Sequence, residues 1–129
     1  MRSTSSVLLI VSNPELKTLV SEVLKRTDPE INLKICSTYE EAFAHLFSTE
    51  WDSVLIDEEL PSKNALLTLK KIRLILGTPR TKVILLARMP GSHLAEEAKR
   101  HGATELLSHQ ELVNPEVISR FFPRADSLQ

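Results

Sequence analysis

Apolar residues gather in five short runs: Val7–Val11, Ile31–Cys36, Ser53–Ile56, Lys82–Ala87 and Thr104–Leu107. The runs begin at residues 7, 31, 53, 82 and 104, so successive starts lie 24, 22, 29 and 22 residues apart. Short continuous runs rich in Val, Ile and Leu are the pattern of strands covered on both faces. The gaps between them carry a helical period. Leu16, Leu19, Val20, Val23 and Leu24 follow the i, i+3, i+4, i+7 stripe of an amphipathic helix. Tyr39, Ala42, Phe43, Leu46 and Phe47 form a second stripe, and Ala65, Leu69, Ile72 and Leu76 a third. Leu94, Ala95 and Ala98 mark a fourth helix, ending at His101-Gly102. Val113, Val117, Ile118 and Phe121 mark a fifth, ending before Pro123.

The breakers agree with this division. Gly77 and Gly102 follow predicted helices, where a left-handed residue is commonly glycine. The prolines fall at or beside predicted element ends. The alternation is therefore (βα)₅. Crossovers of this length make the strands parallel and the connections right-handed. The expected fold is α/β: a doubly wound, flavodoxin-like parallel sheet of five strands in the order 2-1-3-4-5, with helices on both faces. One domain is expected over residues 1–129, with a core over 6–122 and a polar tail, 123–129, that frays. Such sheets bind ligands beyond the carboxyl ends of their strands. The third run ends there at Asp57, followed by Glu58 and Glu59, and Leu60-Pro61 closes the turn. An isolated Asp usually caps a turn or a helix. Its place at the end of a central strand makes Asp57 a candidate functional group.

Composition narrows the classes. Of 129 residues 42% are hydrophobic and 26% charged, and the net charge is −1, which gives nucleic acid or an anionic membrane little to attract. No apolar run approaches the ~20 residues of a membrane span. Val7–Val11 is too short for a signal-peptide core of ~7–15 residues. The single cysteine, Cys36, has no internal disulfide partner and reads as a small core residue. A cytoplasmic location follows as the expectation. His45, His93, His101 and His109 share no metal-ligand spacing, so no metal site is expected from them. Trp51 is expected to cover the amino end of the sheet, opposite the site.

Taken together, four segments resemble the receiver domain of two-component response regulators: residues 7–14 (VLLIVSNP), 52–61 (DSVLIDEELP), 82–87 (KVILLA) and 98–103 (AKRHGA). The resemblance spans Val7–Phe122. It implies that Asp57 matches the aspartate that receives a phosphoryl group from a histidine kinase, with Mg²⁺ held by an acidic pair after the first strand. Here that pair is Ser12 and Asn13. The resemblance also implies a Ser or Thr near the end of strand four, matched by Leu86. It implies a Lys-Pro after strand five, matched by His109 and Gln110, and an aromatic switch residue, matched by Leu106. Only Asp57 keeps the family residue. Glu59 matches a variable position and is an auxiliary candidate for the missing charge. The chain thus resembles a degenerate receiver, or pseudo-receiver, without enzymatic activity or a resident cofactor.

The expected function is a phosphorelay-type signalling module that works by protein contact, with phosphorylation of Asp57 impaired or absent. A functional phosphoacceptor that uses Mg²⁺ is the alternative. A flavodoxin-like cofactor binder or enzyme is a third reading; it needs a Gly-rich loop after strand one, and Ser12-Asn13-Pro14-Glu15 has no glycine. The expected partners are proteins: a histidine kinase, an output protein, or a second copy in a weak homodimer. His109 is expected to pair with Asp57. On the third helix Leu67 and Leu74 fall opposite the stripe that faces the sheet, flanked by Lys70 and Lys71, and form a candidate interaction patch.

Overall fold

The computed structural model describes residues 5–48, 50–59, 64–77, 80–88 and 91–121. The strands are β1 (Ser6–Ile10), β2 (Asn32–Cys36), β3 (Ser53–Asp57), β4 (Lys82–Ala87) and β5 (Glu105–Ser108). The helices are α1 (Pro14–Thr27), α2 (Tyr39–Leu46), α3 (Ala65–Leu76), α4 (Ser92–Arg100), α5 (His109–Leu112) and α6 (Pro115–Phe121). The strands form one parallel sheet in the order β2-β1-β3-β4-β5, as the alternation predicts. The turn at Leu60-Pro61 and the tail 123–129 lie outside the described residues.

Two core layers follow from the period of two along each strand. Val7, Leu9, Leu55, Ile84, Leu86 and Leu107 pack under α1, α5 and α6. Leu8, Ile10, Val54, Ile56, Val83 and Leu85 pack under α2, α3 and α4. The central strands are therefore apolar without interruption. β2, at the edge, instead exposes Asn32 and Lys34.

Three expectations need correction. The predicted fifth helix begins at Pro115 rather than Val113, and a separate four-residue helix, α5, precedes it. Pro115 has no N–H to donate into the preceding turn, and Asn114 Oδ1 caps the new helix by accepting from Glu116 N at 2.9 Å. The stripe assigned to α2 is only half internal. Ala42 and Leu46 are buried, whereas Phe43 and Phe47 stand one residue further round the helix and are exposed. Leu19 is likewise exposed, at the edge of a stripe carried inward by Leu16, Val20, Val23 and Leu24. The third helix behaves as its pattern predicts, with Leu69 and Ile72 buried and Leu67 and Leu74 outward.

Arg73 ties the far end of the sheet together. Its guanidinium donates to Gly102 O at 2.9 Å, Thr81 O at 2.9 Å and Thr104 Oγ1 at 3.2 Å, and burial pulls its pKa down from the usual value. Gly102 has φ +103°, and a Cβ there would stand 2.9 Å from Arg73 Cγ. Gly102→Ala combines backbone strain with a clash against a tethered stem. It is expected to lower the unfolding free energy by about 1–3 kcal/mol, read from chemical denaturation. An unchanged midpoint would show that the Arg73 network yields freely.

Candidate functional site

β3 delivers Asp57 as its last residue, paired in register with Leu86 of β4. Its side chain is only 1% exposed. Two donors reach Oδ1: His109 Nε2–H at 3.0 Å and the Glu59 backbone N–H at 3.4 Å. A buried carboxylate requires such compensation, because desolvation without a partner is strongly unfavourable. His109 is itself only 19% exposed, so the pair lies mostly out of solvent.

The position of His109 is set locally. Ser108 ends β5 and caps α5, accepting from Glu111 N at 3.0 Å, while Glu111 Oε1 accepts from Ser108 N at 2.9 Å. This reciprocal capping box fixes the first turn of α5 and with it the direction of the His109 side chain. Ser108 and Glu111 escaped the sequence reading, although the Ser-x-x-Glu spacing announces them.

The neighbouring positions are differently engaged. Ile10 of β1 pairs with Ile56, so the chain leaves β1 level with Asp57 and reaches Ser12 and Asn13 just beyond. Asn13 faces its own helix: Oδ1 accepts from Glu15 N at 2.9 Å and from Leu16 N at 3.1 Å. Ser12 is partly exposed. Leu86 is fully buried in the layer under α1 and α6. Ala87, which ends β4, adds no hydrogen-bonding side chain, so neither of the last two residues of the strand offers a side-chain donor to an anion. Leu106 is partly buried against the opposite layer.

Glu58 and Glu59 are drawn to Arg88. Glu58 Oε1 accepts from Arg88 N at 3.2 Å, and Glu59 Oε1 lies 3.1 Å from Arg88 Nη2. Glu59 thus touches Asp57 through its backbone while its carboxylate pairs elsewhere. The contact spans 29 residues of sequence, so no local pattern could reveal it. Cys36, at the end of β2, is buried, and its thiol is pushed up first by burial and then by Glu41.

The Mg²⁺ that a receiver implies fits this donor set poorly. Mg²⁺ favours carboxylate oxygens in near-octahedral order. One oxygen of Asp57 accepts from His109, one oxygen each of Glu58 and Glu59 is drawn to Arg88, and the Asn13 oxygen serves the α1 cap. Among the described residues no three His, Cys, Asp or Glu side chains converge as metal ligands.

No family model matches the sequence, and no curated protein matches it. Solved structures do. The Mn²⁺-bound form of response regulator Rcp1 superposes with a TM-score of 0.78 at 20% identity, over 92% of this chain and 95% of that one. The phosphorylated cyanobacterial phytochrome response regulator RcpA gives 0.78 at 18% identity, over 92% and 94%. A response regulator from Thermotoga maritima gives 0.76 at 20%, over 92% and 97%. These likenesses establish that the chain has the receiver fold, with five parallel strands and intervening helices. No helix among the described residues is long and apolar enough to cross a membrane.

Proposed function

We propose that the chain is a degenerate receiver of the response-regulator type, a signalling module that works through protein contacts while phosphoryl transfer to Asp57 is impaired. The observation that carries this reading is the 3.0 Å contact between His109 Nε2 and Asp57 Oδ1 around a carboxylate that is 1% exposed. Asp57 stands where a receiver takes up phosphoryl, but one of its two oxygens already receives a side-chain donor. A hydrogen bond to a charged group contributes about 1.5–3 kcal/mol, and this one must be disrupted before that oxygen can attack. An added phosphoryl group would then meet Leu86 and Ala87 in place of a hydroxyl. It would also lack the carboxylate-held metal that disperses charge in phosphoryl transfer. A histidine kinase or an output protein is the expected partner, and recognition rests on surface rather than on modification.

Incubation with a small acyl-phosphate donor and Mg²⁺, followed by intact mass measurement, tests the reading. The mass is expected to stay unchanged. A stoichiometric phosphoryl adduct that Asp57→Asn abolishes would overturn it and favour the functional phosphoacceptor. That second reading draws its support from the retained aspartate and from the phosphorylated and Mn²⁺-bound forms among the similar structures.

A further inference from the structure

Five large apolar side chains stand exposed among the described residues, and four of them sit on the neighbouring helices α2 and α3: Phe43 at 42% and Phe47 at 67% beside α2, and Leu67 at 50% and Leu74 at 71% on α3, with Phe43 and Leu67 lining one cleft. The clustering separates these side chains from the scattered apolar exposure that any soluble protein shows. The aromatic part is preorganised. Tyr39 and Phe43 meet edge to face at 5.9 Å between centroids, and Phe43 and Phe47 at 5.3 Å, so three rings form a ladder along the helix. Between the helices lies an open cleft of about 400 Å³, lined by Tyr39, Phe43 and Leu67 and flanked by Glu40 and Lys71.

We propose that this α2–α3 face is a self-association surface whose occupant is a second copy of the same chain. Charge decides between occupants. The first turn of α2 carries Glu40 and Glu41, whereas α3 carries Lys70 and Lys71. A purely acidic or purely basic segment laid along the cleft meets like charge on one of the two helices. A second copy related by a two-fold axis parallel to the helices lays each α2 on its partner's α3. Both helices are crossovers of one parallel sheet and run in the same direction, and Glu40 and Lys71 flank a single cleft. The rotation therefore brings each Glu40 towards the Lys71 of the other copy, twice over, while the aromatic ladder covers Leu67 and Leu74. This self-complementarity is what an isologous dimer requires. Four apolar anchors make a small interface, so the dimer is weak and concentration-dependent, as interfaces below ~1,200 Å² are. The proposal involves none of the residues around Asp57, and its failure would leave the reading of that site intact.

Sedimentation equilibrium on the full chain tests it. The average mass is expected to rise from monomer towards dimer as concentration increases. Leu67→Gln with Leu74→Gln should hold the chain monomeric with an unchanged circular dichroism spectrum, because both side chains are largely exposed. Lys71→Glu and Glu40→Lys should each weaken dimerisation by roughly tenfold or more through like-charge contact. An equimolar mixture of these two single variants should recover the dimer, since each copy then offers the charge that the other lacks. A wild-type chain that stays monomeric up to millimolar concentration overturns the proposal. So does a double leucine variant that dimerises as well as wild type, or a mixture of the charge variants that remains monomeric.

Discussion

His109→Ala is expected to lower the unfolding free energy by about 2 kcal/mol, because it strands a buried carboxylate. Asp57 is 1% exposed and among the described residues would keep the Glu59 amide at 3.4 Å. The backbone cost is small, since His109 is the first residue of a four-residue helix and alanine suits a helix start, but the lost ring, 19% exposed, also leaves a void. Asp57→Asn should be milder, since an amide oxygen still accepts from His109 Nε2 and the charge that demanded compensation is gone. In the double variant the losses should fall short of additivity by about 1–2 kcal/mol, the signature of a direct contact. Denaturant titration of the four proteins measures this. Additive losses would mean that the pair contributes no coupling energy, and Asp57 would be as free to react as in an ordinary receiver.

The sheet was readable because every central strand is buried on both faces. Val7–Val11, Val54–Ile56 and Val83–Ala87 are unbroken apolar runs, and a parallel sheet explains them without further constraint. Their ends were readable to within a residue, which sufficed to place Asp57 at the carboxyl edge. Helix phase was less secure wherever the helix was short. In α2, Ala42 and Leu46 suffice to dock eight residues, so the adjacent Phe43 and Phe47 were free to stay outside although they extend the same stripe. The single periodic pattern over Val113–Phe121 hid the break at Asn114-Pro115, where two local rules, a side-chain cap and a missing N–H, override periodicity.

The site divided along the same line. Residues defined by strand ends, Asp57 and Leu86, could be located from the pattern, and His109 could be matched to Asp57 through the resemblance. Contacts set by side-chain choice could not be located. Asn13 is polar and adjacent to the site, yet the unpaired amides at the start of α1 claim its oxygen first. Glu59 lies two residues from Asp57, yet Arg88, reached only through the β3–β4 pairing, claims its carboxylate.

That competition for Asn13 shapes the response to restored carboxylates. Ser12→Asp together with Asn13→Asp is expected to give saturable Mg²⁺ binding, tighter than wild type by on the order of 100-fold, or about 2.7 kcal/mol. The two changes should contribute unequally. Aspartate caps a helix as well as asparagine does, so Asn13→Asp alone should preserve the bonds to Glu15 N and Leu16 N and keep its charge turned towards α1. Ser12 makes no such commitment to the α1 cap and is partly exposed next to the level of Asp57, so Ser12→Asp alone should supply most of the gain. Metal affinity alone does not free the nucleophile, because His109 still holds Oδ1. Phosphoryl labelling by a small donor is therefore expected only when His109→Lys is added, which replaces a short planar ring with a flexible point charge able to follow the incoming anion. Titration of backbone amide shifts with Mg²⁺, followed by intact mass after treatment with the donor, reads the two steps separately. Saturable binding by the wild-type chain would defeat the donor-set argument. Efficient labelling of the Ser12→Asp, Asn13→Asp chain with His109 intact would show that the histidine does not restrain Asp57.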